Sequence, residues 1–166
     1  MRRGVVLVSV ASLVTFAAAT AAWADTTTFI SATFSEPARV DFNSGCAVFP
    51  EGFCGTGEVL PFGQATETIE FGAGCGGTCD LRTITLDEGQ LVLEETVVGD
   101  CPSGSCHHGP VEGGGTGTLT DVVVGGTGLF EGATGELTGT VRGAVSNVRP
   151  AGASAIKLSG TIHYDP

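Results

Sequence analysis

The chain has 166 residues, a formal net charge of −11, 27 glycines and six cysteines. Its basic residues are Arg2, Arg3, Arg39, Arg82, Arg142, Arg149 and Lys157, too few and too scattered for the positive footprint that nucleic acid or an anionic lipid surface requires. Trp23 is the sole tryptophan and Tyr164 the sole tyrosine, which leaves little from which to build a stacked-ring sugar site or an aromatic cage for a cation.

The chain opens MRRGVVLVSVASLVTFAAATAAWAD. Two arginines, an apolar stretch from Gly4 and small residues at Ala22 and Ala24 form the three-part pattern of a secretory signal peptide, with cleavage after Ala24. An uncleaved anchor is the alternative, since the apolar stretch is about as long as a short bilayer span. The A-W-A site and the lack of a basic cluster after it favour cleavage. Arg2 and Arg3 lack the wider twin-arginine motif, and no cysteine stands at the cleavage site to make a lipoprotein. Loss of the leader carries off Arg2 and Arg3 and takes the formal charge from −11 to −13. The reading is therefore a leader over residues 1–24 and one exported, acidic domain over 25–166. No stable membrane span remains after cleavage, and a length of roughly 140 residues suits a single core.

Along the remaining chain the dominant pattern has period two, and no stretch keeps a helical period over three turns. Strands are expected near Thr28–Phe34, Ala38–Phe42, Thr56–Phe62, Thr66–Phe71, Leu81–Leu86, Gln90–Val98, Gly115–Val124, Glu136–Val145 and Ala155–Tyr164. Leu91, Leu93 and Val97 share one face of their strand, as do Leu137, Val141 and Val145, and Ile156, Leu158, Ile162 and Tyr164. Asp87-Glu88-Gly89 reads as a hairpin turn, and Gly63-Gln64-Ala65 as another. Short connections between successive strands predict an all-β fold, an antiparallel up-and-down barrel of about eight strands. Closure of such a meander needs an even count, and Ala38–Phe42, beside Pro37, is the weakest of the nine segments.

Up-and-down order sorts the loops. With Asp87–Gly89 at one end, the connections 72–80, 99–114 and 43–55 all fall at the other, and they hold every cysteine. An even count in an exported chain reads as disulfides. Six cysteines allow many connectivities; the neighbour pairs Cys46 with Cys54, Cys75 with Cys79 and Cys101 with Cys106 are the working assignment, because glycine lets these short loops fold back. Bridges between loops stay open. His107 and His108 follow Cys106, and two thiolates with two imidazoles are a zinc ligand set. Adjacent histidines point apart in most backbones and the spacing is not that of a zinc finger, so a disulfide with exposed histidines is the preferred reading.

The carboxylates are less informative. Glu94 and Glu95 face opposite sides of a strand and cannot by themselves form a catalytic pair. Glu95 falls on the face of Leu91, Leu93 and Val97. If that face is the lumen, it is a buried candidate acid or base; the reading that burial statistics favour is an outward glutamate near a strand end. Asp80, Asp87, Glu88 and Asp100 have no calcium-loop spacing.

The stretch GGTGLFEGATGELTGT, 125–140, lacks the lysine of a phosphate-binding loop, and a strand rather than a helix follows it, so it is not a dinucleotide fingerprint. Gly125, Gly126, Gly128, Gly132 and Gly135 are read as turning the chain, with Phe130 capping the closed end of the barrel. No cofactor is expected. These same residues resemble the Gly-Thr-Gly-x-Phe-x-Gly-Ala-x-Gly signature of the allene oxide cyclase and dirigent-like barrel superfamily, small secreted bacterial members included. The resemblance covers about fifteen residues and implies an eight-stranded calycin-like barrel with a central cavity. It transfers no catalytic residue, and the cysteine-rich rim departs from the plant members.

The leading functional expectation is a non-enzymatic exported barrel that binds a small apolar ligand or a surface component. The alternatives are a cyclase- or dirigent-like enzyme acting on an apolar substrate through a lumenal carboxylate, and a structural extracellular protein. Oligomeric state is not set by the sequence.

Overall fold

A computed structural model of the chain describes residues 25–38, 46, 52–100, 115–143 and 152–166. Eight strands follow one another: β1 (Thr26–Ala38), β2 (Gly52–Leu60), β3 (Gly63–Gly74), β4 (Cys79–Leu86), β5 (Gly89–Asp100), β6 (Gly115–Gly128), β7 (Thr134–Gly143) and β8 (Gly152–Tyr164). Each pairs antiparallel with its sequence neighbours, and β1 pairs with β8 to close the barrel. Closure leaves no open sheet edge. Among the described residues no helix is long and apolar enough to cross a membrane.

The alternation in the sequence is the alternation of the wall. Ile30, Ala32 and Phe34 on β1, Ile84 and Leu86 on β4, Leu91 and Leu93 on β5, and Ile156, Leu158 and Ile162 on β8 are all buried in one apolar cluster. Residues between them face out and are largely hydroxylated: Thr118 stands opposite Thr140, and Thr120 opposite Thr138, across β6 and β7. An eight-stranded barrel is just wide enough for its inward side chains to meet at the axis.

The two ends differ. At one end lie the Pro61-Phe62 and Asp87-Glu88 turns and the 129–133 connection. Phe130 is fully buried there, with its ring edge-on to Phe62 at 5.1 Å and to Tyr164 at 5.6 Å. The cap expected from Phe130 alone is thus a three-ring cluster. Leu129 N–H donates to Glu88 O at 2.9 Å and ties two of the turns together. At the opposite end the disulfides Cys46–Cys54 and Cys75–Cys79 close the β1–β2 and β3–β4 connections, so both bridges share one rim, as the meander requires. Cys101, Cys106, His107 and His108 lie outside the described residues, as does the leader.

Three expectations are corrected. Ala38, expected to open a separate strand, is the last described residue of β1, so the described strands number eight; 39–42 lie outside the described residues. The β2–β3 turn falls on Pro61-Phe62, and Gly63 already pairs with Val59: proline offers no N–H to a ladder, so the turn forms where none is needed. Strand β6 runs on to Gly128, four residues past Val124, so Gly125, Gly126 and Gly128 belong to its end and the chain reverses over 129–133. Gly128 (φ +62°) just before that reversal and Gly132 (φ +72°) within it supply its left-handed backbone. Gly126 is there for close approach, since a Cβ would stand 2.3 Å from Phe130 O.

Candidate functional site

The inward positions on five strands carry charge at one level of the barrel. Glu36 follows Ile30, Ala32 and Phe34 on β1; Glu67 lies between Ala65 and Ile69 on β3; Arg82 precedes Ile84 and Leu86 on β4; Glu95 follows Leu91 and Leu93 on β5; Asp121 precedes Val123 on β6. All five are buried, none with more than 3% of its surface exposed. On β1, β4 and β5 the named apolar positions lie towards the capped end and the charged one towards the disulfide-bearing rim, whereas on β3 and β6 buried Ile69 and Leu119 stand on the rim side of Glu67 and Asp121.

Arg82 is the centre. Its Nε donates to Glu95 Oε2 at 2.8 Å, Nη2 donates to the same oxygen, and Nη1 donates to Glu67 Oε2. The register explains who reaches whom. Glu95 stands directly opposite Asp121 across β5 and β6, and Gly55 directly opposite Glu67 across β2 and β3. Gly55 also lies one step beyond the Ser35–Thr56 pairing of β1 with β2, which places it between Glu36 and Glu67. A Cβ on Gly55 would be 2.6 Å from Glu67 Oε1 and 3.0 Å from Glu36 Cγ. The missing side chain is what lets two carboxyls on non-adjacent strands meet.

Four carboxyls buried around one guanidinium cannot all be ionised cheaply. Burial, then the charge of Glu67, raises Glu36 to about 8. Burial, then the charge of Glu95, raises Asp121 to about 8. Burial raises Glu67 to about 7, against the lowering pull of Arg82. Burial by itself would lower Arg82, but Glu95, then Glu67, outweighs it and its pKa is raised. As ionised acceptors, Glu36 Oε1, Glu67 Oε1 and both Asp121 carboxyl oxygens have no donor. Protonation of Glu36 and Asp121 supplies one, and these acids then hydrogen-bond to Glu67 and Glu95 respectively. At neutral pH the cluster reads as a chain: Glu36 acid, Glu67, Arg82, Glu95, Asp121 acid.

Towards the rim an apolar collar stands over this layer. Phe53 and Phe71 meet edge-on with centroids 5.1 Å apart, and Phe71, Val97 and Val141 pack on the core while staying partly exposed. Val97 and Val141 close over Gly117, where a Cβ would stand 3.0 and 3.1 Å from their methyls. Asp80, also buried, accepts from Gly72 N–H at 2.8 Å, and Glu94 on the outer face accepts from Cys75 N–H at 2.7 Å. The sulfurs of Cys75 and Cys79 lie close to Glu94, but they are bonded to each other and hold no metal in that state.

Of the residues singled out in the sequence, Glu95 alone belongs to the cluster, and the outward alternative is overturned: Asp121 opposite it and Arg82 beside it are its partners. Glu36, Glu67, Arg82 and Asp121 were missed. A signal for them existed, a charged residue in step with the apolar face of each strand, but such a charge reads equally as the point where a strand leaves the core. The glycines and Phe130 sit at the other end and take no part.

Fold and site together define a class, a closed eight-stranded antiparallel barrel with an arginine–carboxyl cluster buried in its lumen. Comparison with protein-family models, with curated proteins and with solved structures found no match for this chain.

Proposed function

We propose that this is an exported, non-enzymatic barrel of the allene oxide cyclase and dirigent-like kind that binds a small, mainly apolar molecule at the disulfide-bearing mouth. The observation that carries the reading is the partly exposed collar of Phe71, Val97 and Val141 standing over a buried polar layer. Apolar walls with a few convergent polar groups are the common make-up of small-molecule sites. A buried ion cluster is a poor stabiliser compared with apolar packing, so its place in the lumen fits a role in recognition. Export is supported by the leader pattern of residues 1–24 and by the two disulfides. Native mass spectrometry of the protein purified from its own host tests the proposal. A retained small molecule, lost when Val97→Asp places a charge in the collar, is the expected result; protein of bare polypeptide mass, with no uptake from a host lipid extract, would refute it.

A second reading, an enzyme that moves a proton on an apolar substrate, is favoured by one observation: Glu36 and Asp121 are held as acids close to neutral pH inside the barrel. It predicts that the retained molecule is altered by the wild type and returned unchanged by Asp121→Asn. Release of the same compound by both proteins leaves the binding reading alone.

A further inference from the structure

An arginine in a lumen invites the expectation of an anionic ligand, a carboxylate above all. Here the guanidinium is already engaged through Nε, Nη1 and Nη2. With its acids ionised, the cluster atoms without a donor are all carboxyl oxygens, Glu36 Oε1, Glu67 Oε1, Asp121 Oδ1 and Asp121 Oδ2, and at neutral pH one proton between Glu36 and Glu67 and another between Asp121 and Glu95 fill that gap. These oxygens belong to side chains that are almost wholly buried, Glu36 at 3% and Asp121 at 0% exposure. What the layer lacks is donors and positive charge, four carboxyls standing against one guanidinium.

We infer that the molecule bound at the mouth is an amphiphile with a cationic, hydrogen-bond-donating head, an alkylammonium, whose N–H groups go to the oxygens of Glu36 and Glu67 at one end of the chain of bonds or of Asp121 at the other once the proton there has left, and that a carboxylate head is rejected. This rests on the ligand reading above. An ammonium has three donors and no acceptor, a hydroxyl has one donor, and a carboxylate has none and repeats the sign of the layer. The tail lies along Phe53, Phe71, Val97 and Val141. As the cation enters, Glu36 or Asp121 gives up its proton to solvent, and the ammonium takes the place of that hydrogen in the chain of bonds.

Octylammonium, octanol and octanoate carry the same tail and differ only at the head, so calorimetric titration of the disulfide-bonded protein with each at neutral pH reads the head group directly. Octylammonium is expected to bind about tenfold or more tightly than octanoate, with octanol between. Glu36→Gln combined with Asp121→Asn should remove that preference and leave octanol binding in place. Octanoate equal to or tighter than octylammonium overturns the inference while the mouth reading stands. Failure of all three to bind removes the mouth reading and the inference together. An ammonium preference retained by the double variant belongs to the acidic surface and also overturns it. Should that variant not fold, the wild type decides: between pH 6 and pH 9 octylammonium binding must strengthen as Glu36 and Asp121 ionise, with Glu67, Arg82 and Glu95 the charged groups around them. Affinity that stays flat or falls is contrary to the proposal.

Discussion

Gly55 and Arg82 show how much of this molecule depends on single positions. Gly55 leaves room for Glu36 and Glu67 to meet, and a methyl there would press on both, at 3.0 Å from Glu36 Cγ and 2.9 Å from Glu67 Cγ. Gly55→Ala is expected to lower stability by about 1–3 kcal/mol in urea denaturation, the usual range for overpacking; an unchanged midpoint would mean the two carboxyls can part freely. Arg82 is the only cation in the layer among the described residues. Arg82→Met leaves Glu67 and Glu95 without their partner and should cost about 3–5 kcal/mol. Adding Glu67→Gln and Glu95→Gln to Arg82→Met should recover part of that loss, because the cost lies in unpaired charge and not in lost packing. A triple variant less stable than Arg82→Met alone would contradict this account.

At the level of elements, the two ends of the barrel are built from different materials. The capped end is aromatic: the 129–133 connection turns Phe130 inward against Phe62 and Tyr164, and Leu129 is bonded to the neighbouring Asp87-Glu88 turn. The mouth is fastened by Cys46–Cys54 and Cys75–Cys79, short loops whose cross-links restrain the loop more than the whole chain. Phe130→Ala should therefore cost about 3–5 kcal/mol in denaturant unfolding. Cys75→Ser with Cys79→Ser should cost clearly less, its effect appearing as faster amide exchange confined to residues 72–80. Equal losses from both changes would show that the ends share the load.

For the whole molecule, the lumenal acids tie stability to pH. Glu36 and Glu67 ordinarily titrate at 4.5 and Asp121 at 3.8, and in the barrel they rise to about 8, 7 and 8. The folded state thus keeps protons that the unfolded chain has released. The stability they contribute is complete below about pH 4 and is lost as pH climbs through the folded values towards 8. A melting temperature at least about 5 °C lower at pH 8 than at pH 5 is expected. Repulsion over a surface of strong negative charge acts in the same direction. The lumenal share is isolated by Glu36→Gln with Asp121→Asn, which should flatten the profile; a double variant with the wild-type slope would place the effect on the surface instead.

Period-two alternation and short turns were enough to derive an all-β meander from the amino-acid order, and the meander in turn placed the cysteine loops at one rim. Those are local or topological properties. Glu95 could be put on the lumenal face of its strand, but its partners could not be found, because Glu36, Glu67, Arg82 and Asp121 lie on four other strands and become neighbours only when the barrel closes and its register sets their heights. Gly55 carries no chemistry in sequence, and its role exists only in the gap between two side chains on either side of it. Burial then decides which of the carboxyls remain acids, and burial is a property of the closed barrel rather than of any strand within it.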